Sequence, residues 1–299
     1  MRRQAKPGRI ALMVFLALIM CVSIIGGVFV ANSFMTALNP ALTEDGEVIE
    51  ADMPLGDDMN ILVLGTDGSS LLTDTMILFH IDTKTRTLKT LSIPRDTRVK
   101  YNNSHIKINS AYGYKGREKS TIEAVKTLTG LPVNYYVTVG LNGFRGIIDY
   151  LGGVDINVPK DMYYSDPAQK LNINLKAGMQ HMDGATAEKY VRFRKGYVDQ
   201  DIGRMHAQQE FIKELIRQKF TLANIVRAKS IFEELKKYVS TNYTLGEIVS
   251  TANKLKGMDT TNILSFDVPG EARTIDNISY WVADDAELKL LIESNFSSK

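Results

Sequence analysis

Cysteine is almost absent from the chain, Cys21 being the only one in 299 residues. No intramolecular disulfide can form, which suits an exported protein that does without them. Because Cys21 lies inside a long apolar run, thiol chemistry elsewhere in the chain is excluded. Histidine is scarce too. His80, His105, His181 and His206 stand far apart, with none of the close spacings that chelate a metal. There is no GxxxxGK[ST] phosphate loop and no GxSxG elbow; "LGTDG" at 64–68 matches neither pattern. Excess positive charge is also missing. The formal charge is +2, from 36 Lys and Arg against 34 Asp and Glu, but Arg2, Arg3, Lys6 and Arg9 crowd the N-terminus, so acids outnumber bases over the remainder. Nucleic acid is therefore not an expected partner, since no excess of basic residues remains to give the bulk basic face that binds phosphate backbones.

The longest absence is that of Lys and Arg between Ile10 and Thr83. Ile10 to Ala31, "IALMVFLALIMCVSIIGGVFVA", is an uncharged run of 22 residues. As a helix it extends ~33 Å, enough for a hydrocarbon core of ~30 Å. With four cations before it and none for a long way after, the run reads as a single-pass signal anchor in the cell membrane. Residues 1–9 are expected in the cytoplasm and everything after 31 outside. A cleaved leader fits less well, because the run exceeds the usual apolar region and only Ala31-Asn32-Ser33 resembles a cleavage pattern. Ile19-Met20 do not suit a lipoprotein signal at Cys21. Residues 32–59 then carry Glu44, Asp45, Glu47, Glu50, Asp52, Asp57 and Asp58 with no base, the composition of a solvated stalk.

A folded domain is expected over 60–299. "NILVLG" at 60–65 is apolar and β-branched, as a strand buried on both faces should be. "MILFHID" and "TLKTLSIP" predict two more strands joined by a turn over 83–86. "STIEAVKTL" opens with Ser120 and Glu123 at capping-box spacing, and "FRGIIDYLGG" ends on the glycines that stop helices. "YYVTV" and "VDINV" predict strands; "RMHAQQEFIKELIRQKF" and "ADDAELKLLIESN" predict helices. Strands interleaved with helices indicate an α/β fold, a sandwich around a central, mostly buried sheet. No internal repeat is present.

The polar residues that remain are acids and arginines at strand ends. Asp67 follows the first strand and Asp74 precedes the second, so a short loop should return both carboxylates to one rim of the sheet. Two carboxylates with open coordination positions suit Mg²⁺ sharing its shell with phosphate and water; a turn residue and a strand cap are the plainer alternative. Arg95 follows Pro94 at the end of a third strand, where a surface ion pair is the plainer reading. The stretch "YVRFRKGYVDQDIGRMHAQQ" at 190–209 packs Arg192, Arg194, Lys195 and Arg204 beside Asp199 and Asp201. Arg192 and Arg194 should share one face of an extended segment, while Asp201, Arg204 and Gln208 should share one face of a helix starting near Asp201. Converging guanidinium groups repel one another unless an anion lies between them, and their forks match phosphate oxygens two by two. The cluster asks for a phosphate ligand, and a pyrophosphate would serve both it and the acidic pair.

"NILVLGTD", "DTMILFHID", "LSIPRDT", "KINSAYGYKG", "VGLNGFRGIIDYLGGVDINVP" and "HMDGATAEKYVRFRKGYVDQDIGRMHAQQ", in this order, resemble the LytR-CpsA-Psr proteins of the Gram-positive cell envelope. The similarity runs from about Asn60 to Phe211, with a weaker echo in "WVADDAELKLLIES". The resemblance implies a membrane-anchored, Mg²⁺-dependent phosphotransferase that moves a glycopolymer, teichoic-acid-like or capsular, from a polyprenyl-pyrophosphate carrier to peptidoglycan. It implies that Asp67 and Asp74 bind the metal and that Arg95, Arg192, Arg194, Arg204 and Gln208 surround the pyrophosphate, with Asp201 a further acid of the site. Asp201 then either accepts the acceptor's proton or orients Arg204 and Arg194. One departure is plain: residues 68–73 hold no arginine, where family members usually have one; Lys107, which the motif places nearby, is a candidate substitute cation, with an exposed lysine as the plainer reading. A non-catalytic envelope regulator that binds polyprenyl phosphate, and a pyrophosphatase with water as acceptor, remain as other readings of the same residues.

Overall fold

The computed structural model describes residues 57–67, 71–167, 171–195, 200–220, 228–261 and 263–296. The expected anchor at 10–31, most of the stalk, residues 68–70 of the arginine-free loop and Asp199 lie outside the described residues. Among the described residues no helix is long and apolar enough to cross a membrane.

Strands β1 (Asp58–Thr66), β2 (Thr73–Asp82) and β3 (Thr87–Ser92) form an antiparallel meander. The expected turn over 83–86 is closed by the Asp82 carboxylate, which accepts from the backbone N–H groups of Lys84 (2.8 Å) and Thr85 (2.9 Å). A hairpin of β4 (Arg98–Tyr101) and β5 (Ser104–Lys107) leads through a 3₁₀ turn at Ile108–Gly113 to α1 (Glu118–Thr129). Strand β6 (Tyr135–Gly140) returns parallel to β1 and feeds α2 (Leu141–Tyr150). Next come β7 (Val154–Val158), the hairpin β8 (Met162–Asp166) and β9 (Leu171–Leu175), and β10 (Gly178–Met182), which pairs back onto β7. Helices α3 (Gly184–Arg192), α4 (Gln200–Lys219) and α5 (Ala228–Leu235) precede β11 (Val239–Thr241), α6 (Leu245–Lys254) and β12 (Leu264–Asp267). The hairpin β13 (Gly270–Ile275) and β14 (Ile278–Ala283) and helix α7 (Asp285–Asn295) follow.

The central sheet has the order β11-β6-β1-β2-β3-β12, with β1–β6 and β3–β12 parallel and the other pairs antiparallel. Strand alternation sorts β1 between two cores. Ile61 and Val63 point into a core shared with Ile147 of α2, Phe211 of α4 and Ile248 of α6, whereas Leu62 and Leu64 point into one shared with Ala124 and Val125 of α1 and Leu288 of α7. The sheet is thus covered on both faces, as the unbroken apolar run of β1 implied. The α/β sandwich is the architecture that this burial demands.

Two local expectations are corrected. Helix α1 begins at Glu118, two residues before Ser120, with no side-chain cap. The Ser120 hydroxyl donates instead to the Lys115 carbonyl at 2.9 Å, because the chain has already turned helical there. The capping box occurs in α6, where the Thr244 hydroxyl and the Glu247 backbone and carboxylate cap each other. Arg192 is the second correction: it is the last residue of α3 and not part of an extended strand with Arg194. Phe193, extended and almost fully buried, follows it and makes the turn out of the helix.

Helix α3 starts against α2 at a point where only glycine fits. A Cβ on Gly184 would overlap the backbone of Arg145. Gly184→Ala must therefore push the two helices apart, and we expect it to destabilise the protein by about 1–3 kcal/mol in chemical denaturation. Stability equal to wild type would show that this close approach is not a constraint.

Candidate active site

The acidic pair is positioned by an irregularity in the β1–β2 ladder. Gly65 pairs with Thr75 and Thr66 with Thr73, which leaves Asp74 as the extra residue of a bulge. A bulge re-aims a side chain, and here both Asp74 and Asp67, the residue after β1, line the mouth of one cavity. Gly65 suits this crossing, since a Cβ there would stand 3.0 Å from that of Thr75.

Cations reach the same place from three elements. Arg95, beyond β3, donates from Nη1 to Asp74 Oδ1 at 2.8 Å and from Nη2 to Asp201 Oδ2 at 3.3 Å. Arg194, beyond α3, has Nε 3.5 Å from Asp201 Oδ1 and Nη2 3.9 Å from Asp74 Oδ1. Arg204, one turn along α4, places Nη2 3.5 Å from Asp201 Oδ1. Three guanidinium groups therefore share two carboxylates, and Asp201 touches all three. Burial pushes the Arg204 pKa down to about 10; Arg194 adds repulsion that outweighs the help from Asp201, and Arg95 repels as well. For Arg95, burial is more than offset by Asp201 and then Asp74, so its pKa is raised. The Nε atoms of Arg95 and Arg204 are buried and have no acceptor. Fixed cations that lack acceptors are the state a bound anion relieves.

Gln208 falls on the same face of α4 as Asp201 and Arg204. It accepts from the Thr75 hydroxyl (3.1 Å) and donates to the Val191 carbonyl (3.1 Å), so it joins β2 to the end of α3. Lys195 lines the mouth beside Arg192 and Arg194. Lys107 pairs with Asp96, the neighbour of Arg95, at 3.2 Å and is not among the described residues that line this mouth. The scattered histidines stay out of the site. His80 is buried, bonds Asn60 at 2.9 Å and has its pKa lowered by that burial.

These charged groups share with many apolar side chains the lining of one cavity of about 910 Å³. Its walls come from Val63 and Val137 of the sheet, Phe144 and Ile147 of α2, and Phe211 and Leu215 of α4. Every one of these positions reads as ordinary core in the sequence. Only tertiary packing shows that they stop short of filling the space. Among the described residues no group of three or more His, Cys, Asp or Glu forms a metal-holding cluster. The donor set that Mg²⁺ would meet here is two aspartates at an anion-binding mouth. Such a set fits an ion that takes its remaining ligands from phosphate and water.

Sequence reasoning missed Glu188 as a site residue. Its carboxylate is 2% exposed and lies between Arg192 (2.7 Å) and Arg145. The signal was present: Glu188 precedes Arg192 by one helical turn, the spacing of a stabilising pair. Burial alone would raise the Glu188 pKa, but hydrogen bonds from Arg145 and Arg192 hold it below the ordinary value of 4.5. A depressed carboxylate stabilises the fold above its unfolded pKa, and this contribution is lost as the pH falls through 4.5 toward the folded value. Arg192→Ala should cost about 2–3 kcal/mol of stability near neutral pH, since it leaves Glu188 buried with one partner. Denaturation melts between about pH 7 and pH 3 should show the gap to wild type narrowing with acid. A pH-independent gap would separate the two groups.

The geometry has relatives among known proteins. The family model described as "LytR_cpsA_psr family" matches residues 27–296. Polyisoprenyl-teichoic acid--peptidoglycan teichoic acid transferase TagV of Bacillus subtilis is 33% identical over 234 residues, which are 76% of this chain and 60% of that protein. The chain thus spans less than two thirds of that relative. The TagU transferase of the same organism is 28% identical over 78% of this chain and 75% of its own length. The crystal structure of B. subtilis TagV superposes with a TM-score of 0.70 at 30% identity, covering 82% of this chain and all of that one. The mixed α/β fold with its central sheet is common to both, and the chain belongs to the LytR_cpsA_psr family.

Proposed function

We propose that the protein is a phosphotransferase that moves a glycopolymer, teichoic-acid-like or capsular, from a polyprenyl-pyrophosphate carrier to peptidoglycan outside the cell membrane. The observation that carries this reading is the joining of a large, mostly apolar cavity to a guanidinium cluster in its lining. A lipid tail with an anionic head satisfies both halves, whereas a soluble anion would account for the guanidinium cluster and leave the apolar lining unexplained. The apolar run at 10–31 supplies the anchor that would keep such a domain at the membrane surface.

In this reading Arg95, Arg194 and Arg204 hold the phosphoryl group to be transferred and the departing lipid phosphate, with Arg192 and Lys195 at the rim. A hydroxyl of the acceptor attacks the glycopolymer-linked phosphorus, the bond from that phosphorus to the bridging oxygen breaks, and polyprenyl phosphate leaves with the hydroxyl's proton on its freed phosphate oxygen. Phosphoryl transfer asks a protein mainly for positioning and charge stabilisation, which fixed guanidinium groups supply. Asp201 orients the three arginines; with three cations around it, this role suits it better than accepting the proton. Asp67 and Asp74 would hold Mg²⁺, which when bound would offset charge on the pyrophosphate oxygens.

Arg194 is the discriminating residue, because its contacts are long and it is 40% exposed, unlike Arg192 on Glu188. We expect Arg194→Ala to leave the melting temperature unchanged or slightly raised. It should also weaken polyprenyl-pyrophosphate binding or transfer ~10- to ~150-fold, the value of one charge-assisted contact. Arg194→Lys should rescue part, since an ammonium keeps the charge and loses the fork. A loss of stability with activity per folded molecule intact would make the cluster structural.

Asp67→Ala and Asp74→Ala should each abolish Mg²⁺-dependent transfer while melting near wild type, both side chains lying at a partly exposed rim. Wild-type activity across a Mg²⁺ titration, or outright unfolding, would remove the metal assignment. Polymer phosphodiester-linked to peptidoglycan is the expected product; free polymer would mean that water is the acceptor, and carrier binding without turnover would leave a binding protein.

A further inference from the structure

A second cavity, of about 530 Å³, adjoins the site. It is bounded by the ends of β2 and β3, the first turns of α4 and the β13–β14 hairpin. It meets the first cavity at Asp74, Thr75, Arg204 and Gln208, and among the described residues the two share no other lining residue. Molecules seated in the two would therefore come together at the charged cluster and nowhere else.

The two differ in sign. Four cations, Arg192, Arg194, Lys195 and Arg204, face two acids in the first cavity's lining. The groove reverses this, with Asp74, Asp96, Asp201 and Glu271 against Arg95 and Arg204. Each of these acids is already paired, Asp96 with Lys107, Glu271 with Arg273, and Asp74 and Asp201 with the arginines, so among the described residues the groove presents no unpaired cation to a polyanion and offers its remaining carboxylate lone pairs to hydroxyl and amide donors. Its wall also carries Trp281, the only tryptophan of the chain. The ring is held by donation from Nε1 to the Val268 carbonyl (3.1 Å), and its backbone N–H donates to Asp96 O (2.9 Å), which ties the hairpin to the loop after Arg95. Across the hairpin Trp281 is paired with Ala272, which is exposed and carries only a methyl group, so little covers the indole from that side. A fixed, half-buried indole beside carboxylates is the combination that receives a pyranose ring, stacking on its C–H face while the acids take its hydroxyls. The hairpin pairs with no strand of the central sheet, so this wall is an addition to the sandwich.

We propose that this groove is the docking site of the acceptor, a neutral N-acetylated glycan strand whose hydroxyl is delivered to the phosphoryl group at Asp74 and Arg204. The inference rests on the carrier reading given above and adds to it the place and chemistry of the second substrate.

The test is two-substrate kinetics with a polyprenyl-pyrophosphate-linked donor and muramidase-released peptidoglycan fragments, with farnesyl pyrophosphate as a separate binding probe. Ala272→Trp fills the groove from an exposed hairpin position and should raise the KM for the fragments at least ~10-fold, with the Kd for farnesyl pyrophosphate within about twofold of wild type. Trp281→Leu should act in the same direction, and Trp281→Phe should recover part by restoring an aromatic face. A fragment KM within about twofold of wild type in Ala272→Trp would overturn the groove assignment and leave the carrier reading standing. So would a shift in the donor KM alone, which would give the groove to the polymer. Failure of the wild-type protein to bind farnesyl pyrophosphate would overturn the carrier reading and the groove with it.

Discussion

Asp201 is the constraint on which the site turns, because one carboxylate holds guanidinium groups from three separate segments: the loop after β3, the chain after α3 and the first turns of α4. Without it the three cations would repel at contact distance across a mouth that must stay open to a ligand. With it they remain short of full compensation. The lowered pKa of Arg204 and the two buried Nε atoms without acceptors record that shortfall. An anion-binding site has to be left in this condition, since a cluster whose charges were all internally paired would gain little from a phosphate.

Arg192 shows the opposite solution a few ångströms away. Its partner Glu188 is buried, short in contact and shared with Arg145 of α2, so that cation is tied into the packing of α2 against α3. The same close packing explains the glycine at the start of α3. One rim arginine is thus a structural member that also faces the ligand, while Arg194 beside it is held loosely and is available for binding. The backbone contributes as well. The bulge at Asp74 takes one residue out of the β1–β2 ladder and gives the site a carboxylate that a regular strand would have paired into the sheet.

The two cavities differ in the charged residues that line them, both being walled largely by apolar groups. The larger one is cut into the core between the sheet and α2 and α4, where large side chains leave space on one side of Val63 and Val137. The smaller one is walled in part by an added hairpin whose turn needs two residues with positive φ, supplied by Asp276 (51°) and Asn277 (63°). Their common boundary is the charged cluster, where a lipid-borne phosphate and a hydroxyl would have to meet.

The sequence by itself determined four of the six strands of the central sheet, β1, β2, β3 and β6, and the identity of the charged residues, while the short strands β11 and β12 went unread. The apolar runs of β1, β2 and β6 could be buried on both faces and nowhere else, and the spacing of Asp201, Arg204 and Gln208 placed them on one helical face, where they stand. Local signals failed where two local solutions competed: Ser120 had the spacing of a cap but lies inside a helix that starts earlier, and Arg192 had the spacing of a strand partner but ends a helix. Lys107 had the right charge in a motif near the site but was taken up by Asp96. What only the tertiary structure decided is which apolar residues line a void, which arginine is paired and which is waiting, and that a hairpin distant in sequence walls the site. Periodicity reports that a side chain leaves water, but whether it meets another side chain or an empty cavity depends on elements brought together from across the chain.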